Sequence, residues 1–229
     1  MPAQPAAARP AGARRGGAGR IGTAVAACCA CLLAGCSPIR YRLAGEEAGR
    51  AFALFSESAF VRYPVVASFS GVAEIRGKAV PLVAGIRSEG PAEERVGVYD
   101  PLGRAVLFVE NRGGRLIVAR GPAAEEFPPG NLPPVAAGPV SLGGILSGAP
   151  GYPVEGGETG RTGVGAWVYR DRRQFLVSDP DRRVLMRAQY DISGARVTVT
   201  YPGRKTPAPP DRVEVEVPGA RILLRRDAP

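Results

Sequence analysis

The stretch DRVEVEVPGARILLRRD, residues 211–227, decides the fold class of this chain. Valine and glutamate alternate in its first half, in the order Val213, Glu214, Val215, Glu216 and Val217. A period of two residues is the pattern of a β-strand with one apolar face. Pro218-Gly219 interrupts the alternation, and a second apolar run follows it. The stretch therefore predicts two antiparallel strands, Arg212–Val217 and Ala220–Arg225, joined by a tight turn.

Most of the chain beyond Pro64 repeats this pattern of short apolar runs between turn-forming residues. A long antiparallel sheet of such strands tends to curl or close. One passage, Gly121–Gly138, is instead rich in proline. The further strands that we predict are Val65–Arg76, Ala79–Arg87, Glu94–Tyr99, Arg104–Glu110, Arg115–Arg120, Gly163–Arg170, Gln174–Ser178, Val184–Asp191 and Arg196–Tyr201.

Two segments have the spacing of helices. Between residues 44 and 60, apolar side chains recur every three or four positions, at Ala48, Phe52, Phe55 and Ala59. After the proline-rich passage, Ser141 is a suitable cap for a short helix with one apolar side, Leu142, Ile145 and Leu146. Two such helices against the concave side of a curved sheet would leave a cavity for an apolar ligand. Its candidate lining residues are Phe52, Phe55, Leu142, Ile145 and Leu146.

The first 35 residues have the pattern of an export signal. Residues 1–20 contain four arginines and no acid, and an uncharged apolar run follows to Gly35. This run is shorter than the roughly 20 residues that a membrane-spanning helix needs. Leu33-Ala34-Gly35-Cys36 resembles the bacterial lipobox, in which the cysteine is acylated and becomes the first residue of the mature protein. We expect a lipoprotein signal peptide at 1–35, a lipidated tether at 36–43 that begins with Cys36, and one domain at 44–229.

The residues that catalysis usually requires are scarce. The chain has no histidine, the commonest general base and metal ligand, and Cys36 is the only cysteine after the predicted cleavage site. Adjacent carboxylates such as Glu93-Glu94 point apart in extended segments, so we expect them to be solvated. The net charge is +9, but the arginines are spread along the chain rather than clustered. We therefore expect no enzyme activity, no metal, no cofactor and no nucleic-acid partner.

A rigid turn is predicted at Asp100-Pro101-Leu102-Gly103, between two strands. Proline fixes one backbone angle and glycine permits a tight turn, so the loop can hold Leu102 in solvent. The alternative is an ordinary connection whose leucine turns inward. Burial of one leucine contributes only roughly 1.5–3 kcal/mol, so this residue alone could contact a bilayer but not anchor the protein to it.

In their order along the chain, these features resemble the family of the outer-membrane lipoprotein receptor LolB and its relatives. The matching features are the lipobox, the N-terminal helix, the Asp100–Gly103 turn, the short helix before Gly148-Ala149-Pro150, and the end, PAPPDRVEVEVPGARILLRRD. The resemblance implies a mainly β fold with α-helices (α+β), a strongly curved, unclosed antiparallel β-barrel whose helices form a lid over a hydrophobic cavity. Pro101, Leu102 and Gly103 match the membrane-insertion loop, whose leucine the family needs to insert its cargo.

The function that the resemblance implies is protein transport in the cell envelope. A protein of this family accepts lipoprotein acyl chains from a periplasmic LolA-like carrier and inserts the lipoprotein into outer-membrane lipid. It is itself lipid-anchored in the outer membrane and faces the periplasm, and we expect a monomer.

Two features depart from the family pattern. The only tryptophan is Trp167, whereas the family is usually rich in tryptophan in its early strands and near its end, and the loop 121–140 is rich in proline and glycine. The alternative function is therefore an envelope lipoprotein of the same fold that has a structural or assembly role or binds another lipid. A packed interior would favour the structural role, and an open cavity would favour a lipid ligand.

Overall fold

The predicted hairpin at residues 211–227 is present in the computed structural model, where Arg212–Val217 and Ala220–Arg226 pair antiparallel with Val217 opposite Ala220. The structure describes residues 42–59, 63–90, 93–128, 140–149, 157–181 and 184–228. They belong to a compact unit that runs from Ile39 to Pro229. The predicted signal peptide and Cys36 lie outside the described residues.

The described residues form one fourteen-stranded sheet and two helices. The helices are α1 (Glu46–Ala59) and α2 (Leu142–Ser147). The strands are β1 (Arg42–Ala44), β2 (Val65–Ile75), β3 (Lys78–Gly90), β4 (Glu93–Tyr99), β5 (Ala105–Arg112), β6 (Arg115–Arg120), β7 (Ala123–Phe127), β8 (Glu158–Arg161), β9 (Trp167–Arg170), β10 (Gln174–Ser178), β11 (Leu185–Ile192), β12 (Ala195–Thr200), β13 (Arg212–Val217) and β14 (Ala220–Arg226).

The strand order is β1-β8-β9-β10-β11-β12-β13-β14-β2-β3-β4-β5-β6-β7, and neighbouring strands are antiparallel. Because β14 pairs with β2, the end of the chain joins the two halves of the sheet, with Ile222 opposite Ala73. Strands β1 and β7 are the two edges, so the sheet is not closed into a barrel. The predicted mainly β fold with an open antiparallel sheet is confirmed, whereas the lid over a cavity stays a prediction.

Strands β2 to β7 follow one another as a meander, so alternate turns lie at the same end of the sheet. The β2–β3, β4–β5 and β6–β7 turns, at residues 76–77, 100–104 and 121–122, share one end. We call it the Leu102 end. The β3–β4 and β5–β6 turns lie at the opposite end.

Three strands were not predicted. Strand β7 lies in the proline-rich passage, β8 precedes the long predicted strand Gly163–Arg170, and β1 lies at the end of the segment predicted as a tether. All three are short, and β1 pairs with β8, more than a hundred residues away in sequence. Such pairing depends on a distant partner rather than on local periodicity, so the sequence pattern does not reveal it.

The core lies on one face of the sheet, which we call the core face, and both helices contribute to it. Aromatic side chains dominate, and Phe55, Phe69, Trp167, Tyr169 and Tyr190 are almost completely buried. Alternation along the strands places their intervening side chains on the opposite face, as the sequence pattern predicts.

Candidate functional site

Leu102 lies in the β4–β5 turn, and its side chain is 78% exposed. Hydrogen bonds close the turn around it: the Gly103 N–H donates to the Asp100 carbonyl (2.9 Å), and the Asp100 N–H donates to the Arg104 carbonyl (3.0 Å). Gly103 has a φ of 77°, a left-handed conformation that glycine adopts without steric cost. The predicted exposure of Leu102 is confirmed, and its role in insertion stays a prediction.

The Asp100 carboxylate fixes this turn from inside. Its Oδ1 accepts hydrogen bonds from the N–H groups of Leu102 and Arg104, both at 2.9 Å, and its Oδ2 accepts one from Arg104 Nε at 2.6 Å. These bonds, first of all the one from the Arg104 N–H, hold the pKa of Asp100 below its usual value. The conformation of the loop therefore depends on Pro101, Gly103 and Asp100, and not on the side chain of Leu102.

Half-buried aliphatic side chains on the core face extend from the core toward the Leu102 end. By register, Val98 lies opposite the core residue Ala84, and Leu82 follows one step nearer the end. The partly exposed members of this set are Leu82, Val98, Ile192, Val215, Val217 and Ile222. Full burial of such a side chain contributes roughly 1.5–3 kcal/mol, so an apolar ligand that covered them would gain binding free energy.

The five predicted cavity residues lie on the two helices and pack on the core face. The ring centroid of Phe52 is 4.5 Å from that of Tyr169, and that of Phe55 is 4.7 Å from that of Trp167. Ile145 and Leu146 are buried in the same cluster, and Leu142 is half-buried beside it. The structure thus brings all five together, and their role as the lining of a ligand cavity stays a prediction.

Helix α2 is attached to the sheet at its first turn by a buried glutamate. Glu94, on β4, accepts hydrogen bonds from the Ser141 hydroxyl (2.8 Å) and from the Gly143 N–H (3.0 Å). Ser141 also caps the helix, as predicted, because its Oγ accepts from the Gly144 N–H. Burial raises the pKa of Glu94, and the two hydrogen bonds act in the opposite direction. A carboxylate at this position also interacts favourably with the helix dipole.

The other end of α2 is held by a buried arginine. Arg204, 9% exposed, donates from Nη1 to the Gly148 carbonyl (2.6 Å) and from Nη2 to the Ser147 carbonyl (3.3 Å). Its remaining bonds go to carbonyls of Leu185 in the sheet and of residues 206–208 in the following loop. The Tyr201 hydroxyl adds a bond to the Ile145 carbonyl (3.0 Å). Gly148, with a φ of 71°, leaves room for the guanidinium, since a Cβ there would lie 2.1 Å from Nη1.

Sequence reasoning missed this attachment of α2. The prediction that Glu94 is solvated beside Glu93 is wrong: Glu93 is exposed, but Glu94 is buried and accepts hydrogen bonds from Ser141 and α2. Arg204 follows Pro202-Gly203 and has the sequence context of a solvated turn. Its partners on α2 are more than fifty residues away in sequence, so no local pattern indicates its burial.

An open cleft of about 670 Å³ lies on the opposite face of the sheet, where Gly85 and Gly97 are paired across β3 and β4. The residues that line it include two aromatic side chains, Tyr99 and Phe108, and two arginines, Arg87 and Arg95. Both arginines are already paired with acids, Glu89 and Glu110 respectively. Neither arginine is therefore free to select an ionic ligand, and the Asp227 carboxylate, which also lines the cleft, accepts hydrogen bonds from the hydroxyls of Ser68 and Ser70.

Two further classes of feature are absent from the described part of the chain. Its helices include none that is long and apolar enough to cross a membrane. Among the same residues, no cluster of three or more acidic or cysteine side chains could hold a metal ion.

No protein-family model and no curated protein matches the sequence. Among solved structures, a LolA superfamily protein from Nitrosomonas europaea is similar, with a TM-score of 0.50 and 13% sequence identity, over 78% of this chain and 91% of that one. A DUF1329 family protein from Desulfovibrio piger matches with a TM-score of 0.47 and 11% identity, over 79% of this chain and 90% of that one. The first likeness shows that this chain has a LolA-like fold.

Proposed function

We propose that this protein is an outer-membrane-anchored acceptor that takes the acyl chains of lipoproteins from a periplasmic carrier and inserts the lipoproteins into the outer membrane. The observation that carries the proposal is the exposed Leu102, held on a fixed turn at one end of a sheet with a LolA-like fold. The half-buried aliphatic side chains on the core face, near the same end, would supply contacts for an acyl chain. Cys36 would carry the acyl chains that anchor the protein, since stable attachment needs two or more.

An acyl chain would have to reach the core face, which α1 and α2 cover in part. Helix α2 is short, and polar contacts from Glu94 and Arg204 hold it at its two ends. We infer that α2 is the part of the cover that moves when a ligand binds, because it is only six residues long and its attachments, which are polar contacts and the packing of Ile145 and Leu146, include no strand pairing of the sheet.

A second candidate function is favoured by the tight packing of Phe52 and Phe55 against β9. If these contacts never open, the protein would be an envelope lipoprotein of the same fold with a structural or assembly role, or with another lipid as its ligand.

The experiment that separates the two candidates is binding of a fluorescent acyl probe to the mature chain with Cys36→Ser, which has no lipid of its own. Under the proposed function the probe binds in a saturable manner, and an acylated lipopeptide displaces it. The matched control is the same peptide without acyl chains, which should not displace the probe. A well-folded protein that binds no probe would contradict the proposed function and favour the structural role.

A further inference from the structure

The turns at the Leu102 end are unusually rich in bases. Residues 75–78, 99–105 and 120–123 contain Arg76, Lys78, Arg104 and Arg120, and their only acid is Asp100. Arg104 is paired with Asp100 at 2.6 Å. The side chains of Arg76, Lys78 and Arg120 are exposed and have no acidic partner within the described ranges.

The opposite end of the same strands has the reverse arrangement. Near the β3–β4 and β5–β6 turns, arginines and glutamates form ion pairs: Arg87 with Glu89, Arg95 and Arg112 with Glu110, and Arg115 with Glu126. In this half of the sheet, the arginines at one end are thus paired with glutamates, whereas three of the four bases at the Leu102 end have no acidic partner among the described residues. Net charge alone would not produce this difference, because both ends contain arginines.

The backbone at Arg76 gives a second, independent observation. Arg76 has a φ of 50° in the two-residue turn between β2 and β3, and Gly77 follows with a φ of 75°. Turns of this kind favour asparagine or aspartate before the glycine, because a larger side chain strains the left-handed conformation. Arg76 therefore makes the turn less stable than asparagine or aspartate would. Residues with a strained backbone conformation often lie at functional sites.

Exposed aliphatic side chains lie among these bases. Besides Leu102, the partly exposed residues at this end are Ile75, Val80 and Val106, each about half exposed. The last residue of β4, Tyr99, pairs with Val83, and the first five residues of β3, 78–82, have no partner on β4. The β2–β3 hairpin therefore projects past the end of β4. Bases and single aliphatic side chains together suit the headgroup region of a bilayer, where anionic phosphates meet the acyl layer.

We propose that the Leu102 end is a docking surface for an anionic lipid bilayer, in which Arg76, Lys78 and Arg120 contact headgroup phosphates while Leu102 enters the acyl layer. The inference deepens the proposed function and rests on it for the direction in which the protein faces the membrane. It adds three residues and a lipid class to that function. The paired Arg104 serves the turn and is not part of the headgroup contact.

The test is co-sedimentation of the mature chain carrying Cys36→Ser with lipid vesicles, without any cargo. We expect it to bind vesicles of phosphatidylcholine mixed with phosphatidylglycerol, and to bind pure phosphatidylcholine weakly. A base near an anionic surface contributes a factor of about five to binding, so Arg76→Glu/Lys78→Glu should weaken it by about 25-fold or more. The matched control, Arg187→Glu/Arg225→Glu, makes the same charge change at exposed sites on other strands and should weaken it far less.

A second variant separates charge from stability. Arg76→Asn suits the left-handed turn better, so the melting temperature should stay the same or rise, while vesicle binding should fall by about fivefold. If Arg76 affected vesicle binding only through the stability of the turn, Arg76→Asn would preserve or raise both the melting temperature and vesicle binding.

Three results would overturn the inference. The protein could bind both kinds of vesicle equally, or Arg187→Glu/Arg225→Glu could weaken vesicle binding as much as Arg76→Glu/Lys78→Glu does. In the third result, Arg76→Glu/Lys78→Glu would lose binding to an acidic carrier protein while its vesicle binding stayed intact. The last result would assign the bases to a protein partner. Failure of the proposed function would appear separately, as absence of acyl-probe binding, because the vesicle test contains no cargo.

Discussion

The buried guanidinium of Arg204 should be one of the most important polar groups for the stability of this fold. In Arg204→Met, the buried carbonyls of Ser147 and Gly148 lose a donor, and the buried carbonyl of Leu185 loses only a long contact of 3.5 Å. The carbonyls of residues 206–208 belong to exposed residues and can bond to water instead. Each buried carbonyl left without a partner costs about 1–3 kcal/mol, and the methionine recovers part of the lost packing. We expect a net loss of about 3 kcal/mol in the free energy of unfolding.

For a domain of this size, 1 kcal/mol corresponds to about 2–4 °C in melting temperature, so Arg204→Met should melt about 6–12 °C lower. Thermal unfolding followed by circular dichroism measures this shift. Hydrogen exchange should also become faster at the amides of Ile145, Gly148 and Ala149, which close α2. Arg225→Met removes an exposed arginine and should change stability by no more than about 0.5 kcal/mol. Equal melting temperatures for the two variants, with unchanged exchange in α2, would refute the reasoning.

Four further predictions concern single residues. Because burial raises the pKa of the Glu94 carboxyl, the folded protein keeps this proton to higher pH than the unfolded chain does. The free energy of unfolding should therefore fall as the pH rises from 4.5 through the raised pKa. Denaturant titrations should show this fall in the wild type and not in Glu94→Gln. Gly143→Ala places a methyl group 2.2 Å from the Glu94 carboxyl and should lower the melting temperature, whereas Gly49→Ala meets no atom within 4 Å on α1 and should raise stability by about 0.5–1 kcal/mol. Leu102→Glu should leave the melting temperature nearly unchanged, and a large drop would mean that the leucine stabilises the fold. Cys36→Ala should move the protein from the membrane to the soluble periplasmic fraction of cells, and unchanged fractionation would reject lipid anchoring through this residue.

Periodicity in the sequence predicts the parts of this fold that local pairing determines. The hairpin at residues 211–227 and the capped helix after Ser141 are present where valine alternation and a suitable capping residue indicate them. The Asp100–Gly103 turn also follows from its own residues, because proline, glycine and an aspartate that bonds to nearby N–H groups fix it locally. The exposure of Leu102 could therefore be inferred without knowledge of the rest of the chain.

The parts that sequence reasoning missed depend on distant partners. Strand β7, with the sequence AAEEF, has no alternation of apolar and polar residues and is defined by its register with β6, where Ile117 lies opposite Glu126. Glu94 and Arg204 look like solvated charges in sequence, and only the position of α2 on the sheet explains their burial. A charged residue that accepts from or donates to the backbone of a remote helix leaves no periodic signal.

The most direct test of the central claim is transfer of a lipoprotein from the loaded protein to vesicles. The mature chain with Cys36→Ser would be loaded with an acylated lipoprotein and mixed with phosphatidylglycerol-containing vesicles, and the cargo in the vesicle fraction would be measured over time. We predict that this protein delivers its cargo, and that Leu102→Glu in the same chain loads equally well but delivers little, because a charge resists transfer into the acyl layer. Equal delivery by both proteins would contradict the role of Leu102, and failure of both to load would contradict the proposed function itself.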